Sequence, residues 1–151
     1  MARKIPLAEA HARVGEDLGV SPWFEITQER INDFARVTGD HQWMHVDIER
    51  ATRERGGTIA HGLLIACLLP WLQEELAQIS DYAGGYSYGF DRLRFTHPVR
   101  PGQRVRLRQR LKNVEPQGGQ GVRVTLACTV EIEGLDKPAL VADYVALYFR
   151  G

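Results

Sequence analysis

Asp40, His41, His45 and Asp47 lie within eight positions of one another, directly after Gly39. A carboxylate and an imidazole separated by five positions, Asp40 and His45, can meet across a turn and share one water molecule. One partner then takes the proton of that water while the other returns a proton to a substrate, which is general acid–base chemistry. The same side chains also read as solvated loop groups, and composition alone leaves both readings open. Asp47 reads as a helix cap and His41 as a surface residue. His41 and His45 have the four-residue spacing of two metal ligands on a helix face. Gln42 breaks the HExxH pattern, however, and Gly39 with the aspartates argues for a loop, so no metal is expected.

A second group follows in Ile59-Ala60-His61-Gly62. The first turn of a helix presents N–H groups without intrahelical partners and a partial positive charge. At Gly62 no side chain blocks a substrate carbonyl oxygen, so this N–H could stabilise negative charge developing there. The plainer reading is a glycine needed for tight packing of helix on sheet. His61 reads as a structural histidine.

The elements that must position these residues change character along the chain. Ser21–Ile26 reads as a short strand. Thr27 offers an N-cap oxygen, and Ile31, Phe34, Ala35 and Thr38 fall at helical spacing, so a helix is predicted over 28–38, ended by Gly39. Residues 40–47 are predicted as a loop, with Asp47 capping a second helix that stops at Gly56-Gly57. From Gly62 to about Ile79 the apolar residues cover every side of a helix, which requires enclosure all round, with a kink at Pro70. Beyond Gly85 the period becomes two. Strands are predicted over Tyr86–Val99, from Arg104 to Leu111, over Val122–Ile132 and over Leu140–Phe149, joined by Gly- and Pro-containing turns. Arginines 104, 106, 108 and 110 form the solvated face of one strand; attraction of carrier phosphates is the lesser reading. Trp23, Trp43 and Trp71 read as packing residues. An early buried helix followed by a strand meander implies an α+β sheet curled round that helix.

Bulk properties exclude several classes. With 151 residues the chain fits one domain, 1–151, able to bury its own core. A formal net charge of zero points to neither nucleic acid nor a membrane surface. Cys67 and Cys128 form no CxxC pair, so a reducing, cytoplasmic setting fits. The apolar run Leu63–Leu72 is about half the roughly 20 residues that span a bilayer.

Gly39-Asp40-x-x-x-x-His45-x-Asp47 followed by Gly56-Gly57-Thr58-Ile59-Ala60-His61-Gly62 resembles the MaoC-like or (R)-specific enoyl-CoA hydratase family. Thr38–Asp47 is most similar to its nodulation protein N-like branch, and Phe95-x-x-Pro98-Val99-Arg100-x-Gly102 extends the resemblance into the strands. The resemblance implies a hot-dog fold, a homodimer with the site near the subunit interface, and reversible hydration of trans-2-enoyl thioesters to (R)-3-hydroxyacyl thioesters. It implies Asp40 and His45 as the catalytic pair and Gly62 N–H as the oxyanion donor. No cofactor is implied beyond the coenzyme A or carrier protein that forms part of the substrate. Gln42-Trp43 stands where many members carry Asn-Pro, and Arg55 where an aromatic residue often precedes the glycines. A hot-dog thioesterase and a non-catalytic acyl-thioester binding module are the rival readings.

Overall fold

A computed structural model describes residues 2–151. Its first helix, α1 (Gln28–Thr38), has the predicted bounds. Thr27 caps it by accepting from Arg30 N–H at 3.2 Å, and Gly39 ends it in the left-handed conformation, φ 80°. Asp47 likewise caps α3 (Ile48–Arg55), accepting from Arg50 N–H at 3.0 Å. Between them the predicted loop contains one helical turn, α2 (Trp43–Val46), and this turn carries His45.

The long helix starts at Gly62 and is interrupted near Pro70 as predicted, but it ends before Ile79. It is broken into α4 (Gly62–Cys67), α5 (Leu69–Leu72) and a 3-10 turn, Gln73–Glu75. Pro70 has no N–H to donate, and its ring crowds the carbonyl four residues back, so the break falls at Leu68. The chain then becomes extended at Leu76, and Ile79 belongs to a strand, β4 (Gln78–Ser80), paired in parallel with β1 (Lys4–Pro6). Enclosure is also incomplete: Leu64, Ile65, Ala66, Leu68, Leu69 and Leu72 are buried, whereas Leu63 and Trp71 are 59% and 49% exposed. Among the described residues no helix is long and apolar enough to cross a membrane.

The main sheet is antiparallel and runs in the order β2-β6-β7-β8-β5, with β3 also paired to β6. Its strands are β2 (Asp17–Val20), β3 (Phe24–Glu25), β5 (Gly84–Phe95), β6 (Arg104–Gln117), β7 (Gly121–Ile132) and β8 (Leu140–Phe149). The first of these was not legible in the sequence, and the strand foreseen over Ser21–Ile26 shrinks to two residues. Strand β5 starts earlier than foreseen and stops at Phe95, ahead of Pro98. The broken helix packs on β6 and β8. Its buried leucines meet Val105, Leu107, Leu111, Leu126, Leu140 and Tyr144 in one core.

Alternation along β6 matches the prediction, with Val105, Leu107 and Leu111 fully buried, and Gln109 shares that inward face. Three of the four outward arginines are engaged: Arg104 with Glu133, and Arg106 and Arg108 with Glu131. Those pairs favour the solvated-face reading over phosphate capture. Trp23 lies under Arg106 and Trp43 under Arg50, so both pack at the surface rather than in the core.

Candidate active site

His45 enters the site from the one-turn helix α2. Its ring is 7% exposed, and Nδ1 lies 2.7 Å from the Ile59 carbonyl oxygen. A carbonyl only accepts, so Nδ1 carries a proton, and in the neutral ring this leaves the lone pair on Nε2. The main chain of this turn is tied to α1, because Gln28 Nε2 donates to His45 O at 2.8 Å. Thr58 Oγ1 donates in turn to Gln28 Oε1, and Ile59 N–H donates to Met44 O at 3.0 Å. Arg100 holds the Gly56–Thr58 turn by donating to Gly57 O at 2.9 Å and Arg55 O at 2.8 Å. Ala60 N–H donates to Val99 O at 2.7 Å, which fixes the approach to α4.

Asp40 sits in the exposed loop after α1. Its Oδ1 accepts from Gln42 N–H at 3.3 Å, and its own N–H donates to Thr38 Oγ1 at 3.3 Å. The structure brings Asp40 and His45 together, and it adds His61. One carboxylate oxygen and one ring nitrogen from each histidine lie within 4.8 Å of one another. The His61 ring stacks on His45 with centroids 3.8 Å apart and planes 25° apart. Such donors could hold a divalent ion. Two imidazoles lying face to face, however, cannot both aim in-plane lone pairs at one ion without turning. His41 lies outside the cluster and is exposed.

Gly62 opens α4 directly beside this group. The N–H groups of Leu64 and Ile65 donate to His61 O, leaving those of Gly62 and Leu63 outside the bonding of the helix. A Cβ at position 62 would lie 2.8 Å from the Phe95 ring, so this glycine also has a packing reason. Sequence reasoning missed the contacts that Gln28, Thr58 and His61 make in this site. Gln28 reaches partners 17 and 30 residues away, which no local pattern discloses.

With this geometry in hand, likeness to known proteins becomes informative. The chain is 45% identical over 143 residues to 3-hydroxyacyl-thioester dehydratase Z of Mycobacterium tuberculosis, covering 94% of this chain and 95% of that protein. It is 40% identical over 147 residues to nodulation protein N of Rhizobium leguminosarum bv. viciae, covering 95% and 91%. Among solved structures it resembles a monoamine oxidase regulatory protein from Archaeoglobus fulgius, with TM-score 0.80, 22% identity and coverage of 100% and 99%. An R-hydratase from Pseudomonas aeruginosa gives TM-score 0.71 at 24% identity, covering 99% and 89%. These structural likenesses establish the α+β hot-dog fold. Residues 9–132, which carry α1 to α5 and the sheet as far as β7, match the MaoC like domain, and with relatives aligned nearly end to end the chain belongs to that family.

Proposed function

We propose that this chain is a hydro-lyase that interconverts trans-2-enoyl and (R)-3-hydroxyacyl thioesters, with the coenzyme A thioester as its substrate. The observation that carries the reading is the fixed tautomer of His45, which leaves Nε2 free within a cluster that includes the Asp40 carboxylate. In the hydration direction these two groups hold one water at the β-carbon. Proton removal makes it a nucleophile, and the α-carbon is protonated on the same face. The Gly62 N–H donates a hydrogen bond to the enolate oxygen as negative charge grows on it, a contact worth on the order of 2.7–4 kcal/mol in the barrier. The mycobacterial relative is named for 3-hydroxyacyl-thioester dehydration, which supports the same chemistry in the dehydrating direction.

Chain 1–151 works in this reading as one domain, in the cytoplasm, with Cys67 and Cys128 both free thiols. It acts as a homodimer. Strand β5 supports this: it lies at the sheet edge, and Tyr86, Tyr88 and Phe95 are 66%, 59% and 48% exposed. Phe95 touches Gly62, so a second copy covering β5 would also close over the site. An active monomer in sedimentation at working concentration would refute the assembly.

The decisive measurement is loss of enoyl-thioester absorbance across a chain-length series, with chiral analysis of the product. Release of free thiol from saturated acyl-CoA, without hydration, would mark a thioesterase and overturn the reading. For Gly62 the Phe95 ring complicates a simple substitution, because an added Cβ would lie 2.8 Å from its Cγ and Cδ2 atoms, so Gly62→Ala belongs in a Phe95→Ala background. A lower kcat with little change in binding of a saturated acyl thioester is expected relative to Phe95→Ala alone. An unchanged kcat there would return Gly62 to packing alone.

A further inference from the structure

His61 is 3% exposed and touches both halves of the proposed acid–base pair. Its Nε2–H donates to the Asp40 main-chain oxygen at 3.0 Å, and its face lies on the His45 ring. Phe34 tilts against it, with ring centroids 4.9 Å apart. The remaining nitrogen, Nδ1, is buried without a hydrogen-bond partner. Buried polar atoms are nearly always paired, because leaving one unpaired is costly. A residue kept for packing alone would be served by an apolar ring without that cost.

We propose that His61 is a positioning residue for hydration, clamping the Asp40 main chain and the His45 ring so that both groups converge on one water. The inference rests on the reading given above. Asp40 needs such a clamp. The other bonds of its loop are short-range: His41 N–H to Gly39 O at 3.1 Å, and the contacts of Asp40 with Thr38 and Gln42 at 3.3 Å. The bond from His61 spans 21 residues and ties the loop to the start of α4. His45 needs it for a different reason. The Ile59 carbonyl holds one edge of the ring, and a ring held at one atom can still turn about that bond. The stacked His61 face removes that freedom.

Two substitutions separate these contacts. His61→Phe keeps a ring against His45 and loses the donor to Asp40 O. His61→Gln keeps a donor and loses the ring face. With a short trans-2-enoyl-CoA as probe, each should lower kcat by about tenfold to a hundredfold, the scale of a misplacement near 1 Å. KM should stay within about threefold, since ground-state binding is not the target. In a His45→Gln background, His61→Phe should cost less than about twofold more, because residues acting as a unit are non-additive. Nitrogen NMR of histidine-labelled protein should show His45 as the Nδ1–H tautomer in the wild type and in His61→Phe, and a mixture in His61→Gln, which loses the ring face. Folded variants with kcat within twofold of wild type overturn the proposal, as does a full multiplication of losses in the His45→Gln background. Failure of both variants to fold makes His61 a stability residue and overturns it too. A wild type that hydrates no enoyl thioester counts against the parent reading instead, and the nitrogen spectrum still tests the clamp.

Discussion

Along the β6–β7 hairpin, inward side chains are mostly apolar, with Val105, Leu107, Leu111, Val124 and Val130 fully sequestered and Gln109 the polar exception on β6, and outward charges pair across the strands. Between Gly39 and Gly62 the buried residues are His45, Ala51, Thr58, Ala60 and His61, three of them polar. The hairpin is held by apolar area, which is non-directional and tolerant of small displacements. The segment is held by individual hydrogen bonds from Gln28, Arg100 and His61, each directional and each breakable by one substitution. Stability and the proposed chemistry are therefore lodged in different parts of the chain. Changes in one region should leave the other largely intact.

The largest effect expected from that division is on rate. Asp40→Asn and His45→Gln should each lower hydration by about 10²–10⁴-fold, the usual contribution of general acid–base catalysis. Asp40 is exposed, so its variant should melt with the wild type. Smaller rate losses in both variants, measured in enzyme shown to be folded by circular dichroism, would remove these residues from the mechanism.

The converse substitution is Leu107→Ala. Leu107 is fully buried in β6, and truncation at such sites typically costs about 2–5 kcal/mol through lost transfer energy and a residual cavity. Denaturant unfolding should show that loss. Activity per folded molecule at low temperature should change little. A large fall in kcat of the folded fraction would show the two regions to be coupled.

Gln28→Ala tests the polar side of the comparison. It removes the donor to His45 O and the acceptor of Thr58 Oγ1 while leaving the apolar core untouched. Leaving part-buried groups unpaired costs about 1–3 kcal/mol. Hydrogen exchange should locate that loss in α2 rather than in the hairpin. An exchange pattern that loosens evenly across the molecule would contradict the division.

The same contrast explains what could be read in advance. Both capped helices and the alternation of β6 follow from neighbours in sequence: Thr27, Asp47 and Gly39 act on groups three or four residues away. The Asp40–His45 pairing was legible for the same reason, being local. What failed was non-local. The full apolar circumference around Gly62–Leu72 implied enclosure, yet Leu63 and Trp71 face outward, because one chain supplies too little sheet to surround them. Strand β2 is short and contains Gly19 at φ 112°, so its strand character comes from pairing with β6 rather than from its residues. His61 carried a signal only in its place between Ala60 and Gly62. Its contacts to residues 21 and 16 positions earlier become visible only in the fold.

The smallest effect belongs to the charged face of the hairpin and appears as a pH dependence. Burial of the Glu131 carboxyl would raise its pKa, but hydrogen bonds from Arg106 at 2.5 Å and Arg108 at 2.9 Å hold it below its ordinary value. In the unfolded chain the same carboxyl titrates near its ordinary value of about 4.3. Its contribution is therefore fully present above that pH and is lost as acid takes the solution down through the folded pKa. The side chain remains 26% exposed and the arginines are more exposed still, so solvent screening keeps the contribution small. Glu131→Gln removes the charge while roughly keeping the shape. Melting temperatures of wild type and variant should differ slightly at neutral pH and converge only when the pH falls below the lowered folded pKa of Glu131, where both carry an uncharged group. Because the pair lies on the hairpin, kcat should not follow this change. A constant difference in melting temperature down to acid would mean that the arginines hold Glu131 by shape and hydrogen bonding rather than by charge.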